Sequence, residues 1–120
     1  MIAHRGSKSP TKAEKQRIER MMTLGCVCCA QFGGWLYPEC HHVVEGNKRL
    51  GHWYTLPICK GHHRGAWTGL EHGPRVALSD GSKRFEATFG TERELWKKVQ
   101  DKLGLPYVWP VSKILPRRVA

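Results

Sequence analysis

Cysteine and histidine are the side chains with the clearest capacity for chemistry in this sequence, which contains five cysteines and seven histidines. Cys26 and Cys29 are separated by two residues, and Cys59 and His62 have the same spacing. Two such knuckles supply the four sulfur and nitrogen ligands that structural zinc takes in tetrahedral geometry. The spacing therefore predicts a structural Zn²⁺ site formed by Cys26, Cys29, Cys59 and His62.

Disulfides and unliganded burial in the core are the alternatives for these cysteines. The segment Met1–Lys15 lacks an apolar stretch, so we expect no secretory signal and a cytoplasmic protein. Closely spaced cysteines in a reducing compartment indicate metal ligands before disulfides, and an odd number cannot be fully paired. Cys28 and Cys40 remain outside the predicted zinc site, and we expect them to be small core or half-exposed residues.

Three further histidines, His41, His42 and His63, lie close to these knuckles in the sequence. Adjacent residues project to opposite faces of a strand and about 100° apart on a helix. His62 and His63 are therefore poorly placed to share one ion. One of the two strand histidines and His63 can instead converge on a second ion, which leaves the other strand histidine as a base. The alternative is a pair of strand histidines that contact only backbone and solvent.

Capping residues and apolar periodicity predict the helices. Thr11 and Glu14 form a capping box, so a helix from about 12 to 24 should begin there. Its apolar stripe would dock on the core and leave its basic side chains, among them Lys15 and Arg17, mostly outside. Three more helices are expected. The first runs from Cys59 to about Trp67 and should be stopped near Gly65 or Gly69, the second is capped by Ser82 and ended by Gly90, and the third lies between the capping box at Thr91 and Gly104.

Two strands are expected between the knuckles. The residues 39–44 should form the first strand, which leads into a turn over 45–48. The aromatic and β-branched segment 52–56 should return as a second strand, and Pro57 should end it because proline cannot donate to a β-ladder. With the helix from Cys59, the expected order is strand, strand, helix.

The length of 120 residues predicts one small domain, of the α+β class. We expect a basic flexible arm over 1–10, the folded domain over 11–106, and a basic, proline-containing tail over 107–120. No stretch approaches 18 consecutive apolar residues, so we expect no membrane-spanning helix.

The charge of the chain points to a polyanionic partner. Twenty Lys and Arg residues stand against ten Asp and Glu residues, which gives a formal net charge of +10. Such a balance favours nucleic acid as the partner, and a surface charged for solubility is the alternative. The basic residues nearest to the predicted metal sites, and therefore the expected phosphate contacts, are Lys48, Arg49, Lys60 and Arg64.

Four segments, "GCVCC", "ECHHVVEG", "LPICKGHHRG" and "SKRFEATFGTERE", occur in this order between Gly25 and about Leu103. Together they resemble the bacteriophage recombination-enhancement (Ref) nucleases, a family within the HNH superfamily. The resemblance implies a small HNH ββα-metal domain, treble-clef-like, with structural zinc and with flanking helices at both ends. It also implies cleavage of DNA held in a filament of the RecA recombinase.

The resemblance assigns roles to the three histidines. His41 and His63 would hold the catalytic divalent ion, either Mg²⁺ or Mn²⁺, with Zn²⁺ as an occupant in crystals. His42 would be the general base that deprotonates the attacking water. The products would carry 5′-phosphate and 3′-hydroxyl ends. The middle asparagine of the HNH pattern falls at Tyr54, and either His52 or Asn47 is close enough in sequence to replace it.

The sequence as a whole therefore predicts a metal-dependent DNA endonuclease. The main alternative is a zinc-stabilised nucleic-acid-binding module without catalysis, which would keep the four zinc ligands but would not need His42 or His63. A third possibility is a structural protein of phage assembly, in which the ββα element is only a scaffold.

Overall fold

The computed structural model describes residues 9–110. Most of the expected N-terminal arm, and all but residues 107–110 of the expected C-terminal tail, lie outside the described residues. Within residues 9–110 the chain forms short antiparallel strand pairs and α-helices, so the predicted α+β class is confirmed.

The elements follow each other in a simple order. The helices are α1 (Lys12–Met22), α2 (Val27–Ala30), α3 (Lys60–Arg64), α4 (Ser82–Phe89) and α5 (Glu92–Leu103). The strands are β1 (Glu39–His42), β2 (Val44–Glu45), β3 (Lys48–Arg49) and β4 (Thr55–Ile58), and a turn of 3-10 helix covers Leu78–Asp80.

Two antiparallel strand pairs lie between the two knuckles. β1 pairs with β4, which places Glu39 opposite Ile58. β2 pairs with β3 across a turn at Gly46 and Asn47, whose φ angles of 60° and 64° are both positive. Positive φ at both central residues is the mark of a type I′ turn, which suits the twist of a two-residue hairpin. The predicted turn over 45–48 is therefore confirmed.

The bounds of the two main strands differ from the prediction. β1 ends at His42, because Val43 leaves the β1–β4 ladder and is buried, with its N–H donating to the Tyr54 carbonyl at 2.8 Å. β4 begins only at Thr55 and contains Pro57, so the prediction that this proline ends the strand was wrong. β4 has one neighbouring strand, and a proline is tolerated at an edge where its missing N–H is not needed.

Arg17 on α1 is buried, at 2% exposure, which contradicts the prediction that it faces outward. Its guanidinium donates to Gln100 Oε1 at 2.8 Å and to Thr55 Oγ1 at 2.8 Å. It also lies 5.9 Å from the centroid of the Trp96 ring. Burial lowers the pKa of Arg17 from its ordinary value to about 10. These contacts join α1 to β4 and α5, whereas Lys15 is exposed as predicted.

Both predicted capping boxes are confirmed. The Thr11 hydroxyl accepts from the Glu14 N–H, and the Glu14 carboxylate accepts from the Thr11 N–H. Thr91 and Glu94 make the same reciprocal pair at the start of α5. Gly104, with a φ of 71°, ends α5 in the left-handed conformation that glycine adopts at little cost.

The helices α3 and α4 depart from the prediction in detail. α3 ends at Arg64, because Gly65 follows it in the left-handed conformation with a φ of 77°. Gly65 is one of the two glycines expected to end this helix, which therefore stops short of Trp67. Ser82 is the first residue of α4 rather than its cap: Gly81 takes the cap position, and no side-chain hydrogen bond caps the helix.

The core lies between α5, β4 and the two knuckles. The four apolar residues predicted to share one face of α5 are all buried, namely Leu95, Trp96, Val99 and Leu103. They pack in one cluster with Met21 of α1, with Leu56 and Ile58 of β4, and with Phe85 and Phe89 of α4. Among the described residues, no helix is long and apolar enough to cross a membrane.

Candidate metal centre and histidine site

The two knuckles bring four buried ligand atoms together. The thiols of Cys26, Cys29 and Cys59 and one ring nitrogen of His62 all lie within 4.8 Å of one another. Each knuckle has the same local geometry: a cysteine at a helix N-cap accepts the N–H of the ligand three residues later. These N–H to sulfur distances are 3.4 Å for Cys29 to Cys26 and 3.5 Å for His62 to Cys59.

The separations within this cluster match those of a tetrahedral zinc site. His62 Nδ1 lies 3.8 Å from Cys26 Sγ, 3.7 Å from Cys29 Sγ and 3.3 Å from Cys59 Sγ. Cys29 Sγ and Cys59 Sγ are 4.0 Å apart. Zinc bonds of about 2.3 Å to sulfur and about 2.0 Å to nitrogen, at tetrahedral angles, give about 3.8 Å between sulfurs and about 3.5 Å from sulfur to nitrogen. The cluster could therefore hold a structural metal ion such as zinc.

The orientation of the His62 ring also suits a metal ligand. His62 Nε2 lies 2.9 Å from the carbonyl oxygen of Pro74. A carbonyl can only accept, so Nε2 carries the proton and the lone pair is on Nδ1, which faces the three thiols. A backbone carbonyl that fixes the second nitrogen is the usual support of a zinc-binding histidine.

Cys28 and Cys40 lie outside this cluster, as predicted. Cys28 is fully buried, and its hydrogen bond to Cys26, together with burial, raises the pKa of its thiol far above the ordinary range. The pKa of Cys26 moves in the opposite direction, because its sulfur accepts from Cys28 and Cys59. None of the five cysteines forms a disulfide bond.

A second constellation forms where β1 meets α3. His41 Nδ1 lies 3.2 Å from His63 Nε2, and the ring centroids are 5.0 Å apart. The other nitrogen of each ring faces a carboxylate: His41 Nε2 is 2.8 Å from Glu92 Oε1, and His63 Nδ1 is 2.9 Å from Glu39 Oε1. The structure therefore brings His41 and His63 together. Strand alternation predicted that one of the two strand histidines would reach His63, and the family resemblance named His41 as that histidine.

The two carboxylates decide where the ring protons lie. An ionised carboxylate only accepts, so in the neutral rings the protons are on His41 Nε2 and His63 Nδ1. The lone pairs of His41 Nδ1 and His63 Nε2 then face each other across 3.2 Å. Two lone pairs at that distance require a cation between them, either a proton or a metal ion. Bonds of about 2.1 Å from one ion to two imidazoles at 90–110° place the nitrogens about 3.0–3.4 Å apart, so the separation fits a shared ion.

His42 projects away from this pair and contacts a different histidine. His42 Nε2 lies 3.0 Å from His52 Nδ1, with ring centroids 5.1 Å apart. Burial lowers the pKa of His42, and the nearby charge of Arg49 lowers it further. Of the two residues considered as replacements for the middle HNH asparagine, His52 contacts His42, whereas Asn47 occupies the β2–β3 turn. The hydroxyl of Tyr54 donates to the Val108 carbonyl at 2.6 Å.

Comparison with known protein families shows which family the chain belongs to. A family model described as "Recombination enhancement, RecA-dependent nuclease" matches residues 10–104. The chain belongs to this family. The resemblance drawn from the sequence motifs is thereby confirmed at the level of the family, which is described as a nuclease that acts with RecA. A search of curated proteins gives no match.

The four basic residues expected to contact phosphate lie at different places on the surface of the chain. Lys48 and Arg49 are exposed on β3, and Lys60 is exposed at the start of α3. Arg64 is exposed as well, but its guanidinium binds both carboxylate oxygens of Glu39, with the shortest distance at 2.7 Å. Arg64 therefore supports Glu39, and a phosphate would have to compete with that carboxylate.

Two carboxylates that contact the histidine pair, Glu39 and Glu92, were not predicted from the sequence. Glu39 lies two residues before His41, and strand alternation gave a signal for it because both face α3. The Arg64 hydrogen bonds lower the pKa of Glu39 to about 2, so it is ionised. Glu92 is 51 residues from His41 and begins α5, and no local pattern could have revealed this contact.

Proposed function

We propose that this chain is a metal-dependent DNA endonuclease of the HNH type, in which His41 and His63 hold the catalytic divalent ion. The observation that carries the proposal is the pair of imidazole nitrogens that face each other at 3.2 Å while a carboxylate holds the far side of each ring. Carboxylate–histidine pairs of this kind orient imidazoles as metal ligands and raise their basicity. The family's description as a nuclease supports the reaction class.

The ion would be Mg²⁺ or Mn²⁺, and its chemistry when bound is to stabilise negative charge on the phosphate and on the leaving oxygen. Two imidazoles suit Mn²⁺ or Zn²⁺ better than Mg²⁺, which prefers oxygen ligands. Water and the phosphate of the substrate would complete the coordination. The residues of the chain contribute a fixed pair of nitrogens, and Glu39 and Glu92 hold these nitrogens in place.

His42 is the proposed general base. If its Nε2 donates to His52 Nδ1, the lone pair of the ring is on Nδ1 and can accept a proton from the attacking water. The lowered pKa of His42 keeps this imidazole neutral, and therefore able to accept a proton, at neutral pH. A positioned base of this kind contributes about 10²- to 10⁴-fold to the rate.

DNA is the proposed substrate, bound through phosphate contacts by Lys48, Arg49, Lys60 and Arg64. The formal net charge of +10 supports a polyanionic substrate without indicating a sequence preference. The RecA filament is the proposed partner, on the basis of the family description, and the bacterial cytoplasm is the proposed compartment. The proposed role is cleavage of DNA held by RecA during phage recombination.

Cleavage assays on matched variants test this proposal. Zinc-loaded protein is incubated with single-stranded and duplex DNA in Mg²⁺ or Mn²⁺, with and without RecA and ATP. His41→Ala, His63→Ala and His42→Ala should each lower cleavage by about 10²-fold or more and keep the fold. His72→Ala is the matched control, because the exposed His72 is outside the histidine site, and it should cleave normally. Equal activity in all four variants would contradict the assignment.

A zinc-stabilised nucleic-acid-binding module without catalysis is the second candidate. One observation favours it: the Cys26, Cys29, Cys59 and His62 group is the one cluster of three or more potential ligands found among residues 9–110, and the histidine pair supplies two. Such a module would bind one zinc ion and DNA but would not cleave under any of the assay conditions.

A further inference from the structure

A groove of about 350 Å³ is lined in part by Glu39, whose carboxylate contacts His63 of the histidine pair. Its volume is in the range of small-molecule binding sites. Its lining is largely apolar and includes Leu36, Tyr37 and Leu70. Glu39, Cys59, Lys60 and Thr68 line it as well. Glu39 and Lys60 already have roles in the proposed function, whereas Leu36, Tyr37 and Leu70 have none.

Tyr37 forms an aromatic wall whose backbone is held on both sides. The carbonyl of the preceding Leu36 accepts the Cys26 N–H at 2.9 Å, and the following Pro38 is fully buried. The Tyr37 side chain is nevertheless 70% exposed. Its hydroxyl has no hydrogen-bond partner within residues 9–110. The fold thus fixes this aromatic residue at the surface without using it for packing.

Leu70 also lines the groove, on a loop that is held by hydrogen bonds to Glu71. The Glu71 carboxylate accepts the Thr68 N–H at 2.7 Å, the Thr68 hydroxyl at 2.8 Å and the Gly69 N–H at 2.9 Å. The loop packs closely on α3, because a Cβ at Gly61 would approach the Glu71 carboxylate to 2.8 Å. Leu70 is therefore 67% exposed on a preformed turn rather than on a loose loop.

The groove and the proposed site of cleavage share one residue, Glu39. Glu39 lines the groove and also binds His63 at 2.9 Å, so a ligand in the groove lies next to the histidine pair. Lys60 lines the same groove, and it has no ion-pair partner in the described part of the chain. An apolar, aromatic cleft with an unpaired cation at its edge matches a base attached to a phosphate: the aromatic wall takes the base and the ammonium takes the phosphate.

We infer that this groove binds an unpaired nucleobase of single-stranded DNA, stacked on Tyr37, next to the phosphate that is cleaved. The inference rests on the proposed function for the position of the scissile phosphate, but base binding itself does not require cleavage. In a duplex the faces of the bases are covered by their stacked neighbours, so only an unpaired base can enter. The groove would therefore favour single-stranded over duplex DNA.

Binding measurements with Tyr37 variants test the inference. Fluorescence anisotropy of a short labelled oligothymidylate is measured with the zinc-loaded full chain, without added Mg²⁺ or Mn²⁺, so that no cleavage is needed. Tyr37→Ala should raise the Kd about 5- to 100-fold, the range found for loss of one base–aromatic stack, and Tyr37→Phe should restore most of the affinity. Tyr107→Ala is the matched control, because this exposed tyrosine does not line the groove and should bind normally.

Two comparisons separate the possible outcomes. The Tyr37→Ala effect should disappear on duplex DNA and on an oligonucleotide without bases, and an equal loss on all three ligands would overturn the inference. Normal binding of single strands by Tyr37→Ala together with lost binding to RecA filaments would also overturn it, in favour of a protein-docking surface. If Tyr37→Ala weakens binding of the oligonucleotide but the wild-type protein never cleaves DNA, the groove is supported and the nuclease proposal is contradicted. If the wild-type protein cleaves DNA but Tyr37→Ala binds the oligonucleotide normally, the inference is overturned and the nuclease proposal is retained.

Discussion

Glu92→Ala measures how much a carboxylate that contacts His41, and not the metal ion, contributes to binding of the divalent ion. Glu92 Oε1 lies 2.8 Å from His41 Nε2, and the two side chains are 19% and 13% exposed. Without this acceptor the His41 proton can move to Nδ1, the atom that faces His63, and the ring is also free to turn. Loss of such a supporting contact usually weakens metal binding 10- to 100-fold, or about 1.4–2.7 kcal/mol.

The cost of the same substitution to the fold should be much smaller. Glu92 is in the first turn of α5, where a negative charge stabilises a helix by about 0.3–1 kcal/mol. Glu86→Ala, on the exposed surface of α4, removes a carboxylate that does not contact a histidine and serves as the control.

Two measurements on the zinc-loaded protein give the change in Mn²⁺ affinity. Calorimetric titration gives the Kd for Mn²⁺, and cleavage assays give the Mn²⁺ concentration needed for half-maximal cleavage. Glu92→Ala should shift both values to higher concentration by the same factor, with the Cys-bound zinc retained and the melting temperature nearly unchanged. Wild-type Mn²⁺ affinity in Glu92→Ala would refute the reasoning that this carboxylate orients a metal ligand.

Three further predictions concern the fold and the structural metal. Arg17→Ala should lower the free energy of unfolding by about 2–4 kcal/mol in denaturant titrations, because buried acceptors lose a charged donor, whereas Lys15→Ala should change it by less than about 0.5 kcal/mol. Cys59→Ser should abolish cooperative thermal unfolding, as should removal of zinc by a chelator, while Cys28→Ser should retain zinc. The pKa of Glu71 is lowered to about 2, since hydrogen bonds from Thr68 and Gly69 outweigh the effect of burial. Because this folded-state pKa lies below the ordinary value of about 4.3, its stabilising effect is present above that pH and is lost as the pH falls toward 2. The carboxyl carbon of Glu71 should therefore keep the NMR shift of an ionised group down to pH 4.5, and a midpoint near that pH would contradict the hydrogen bonding of this loop.

The parts of the site that the sequence predicted are those set by local geometry. Cys26 and Cys29 lie one helical turn apart, and so do Cys59 and His62, so their spacing already determines that each pair can face one ion. The convergence of one strand histidine with His63 follows in the same way, once a strand and a helix are placed side by side. Local geometry did not choose between His41 and His42, and the family resemblance indicated His41. The capping boxes could also be predicted from the sequence, because all of their hydrogen bonds lie within four residues.

The parts that were missed depend on contacts between distant segments. Arg17 looked like a surface residue because its partners, Thr55 and Gln100, are 38 and 83 residues away. Glu92 was missed for the same reason. The error at Pro57 has a different cause: the rule against proline in strands assumes neighbours on both sides, and β4 has one neighbour only.

The central claim is that His41 and His63 bind one divalent ion between them, separate from the ion of the cysteine cluster. Metal analysis of the protein after equilibration with Mn²⁺ tests it most directly. The wild-type chain should hold one zinc and one Mn²⁺ ion, and His41→Ala and His63→Ala should each keep the zinc and lose the Mn²⁺. A single zinc ion in the wild type, or Mn²⁺ retained in both variants, would contradict the account.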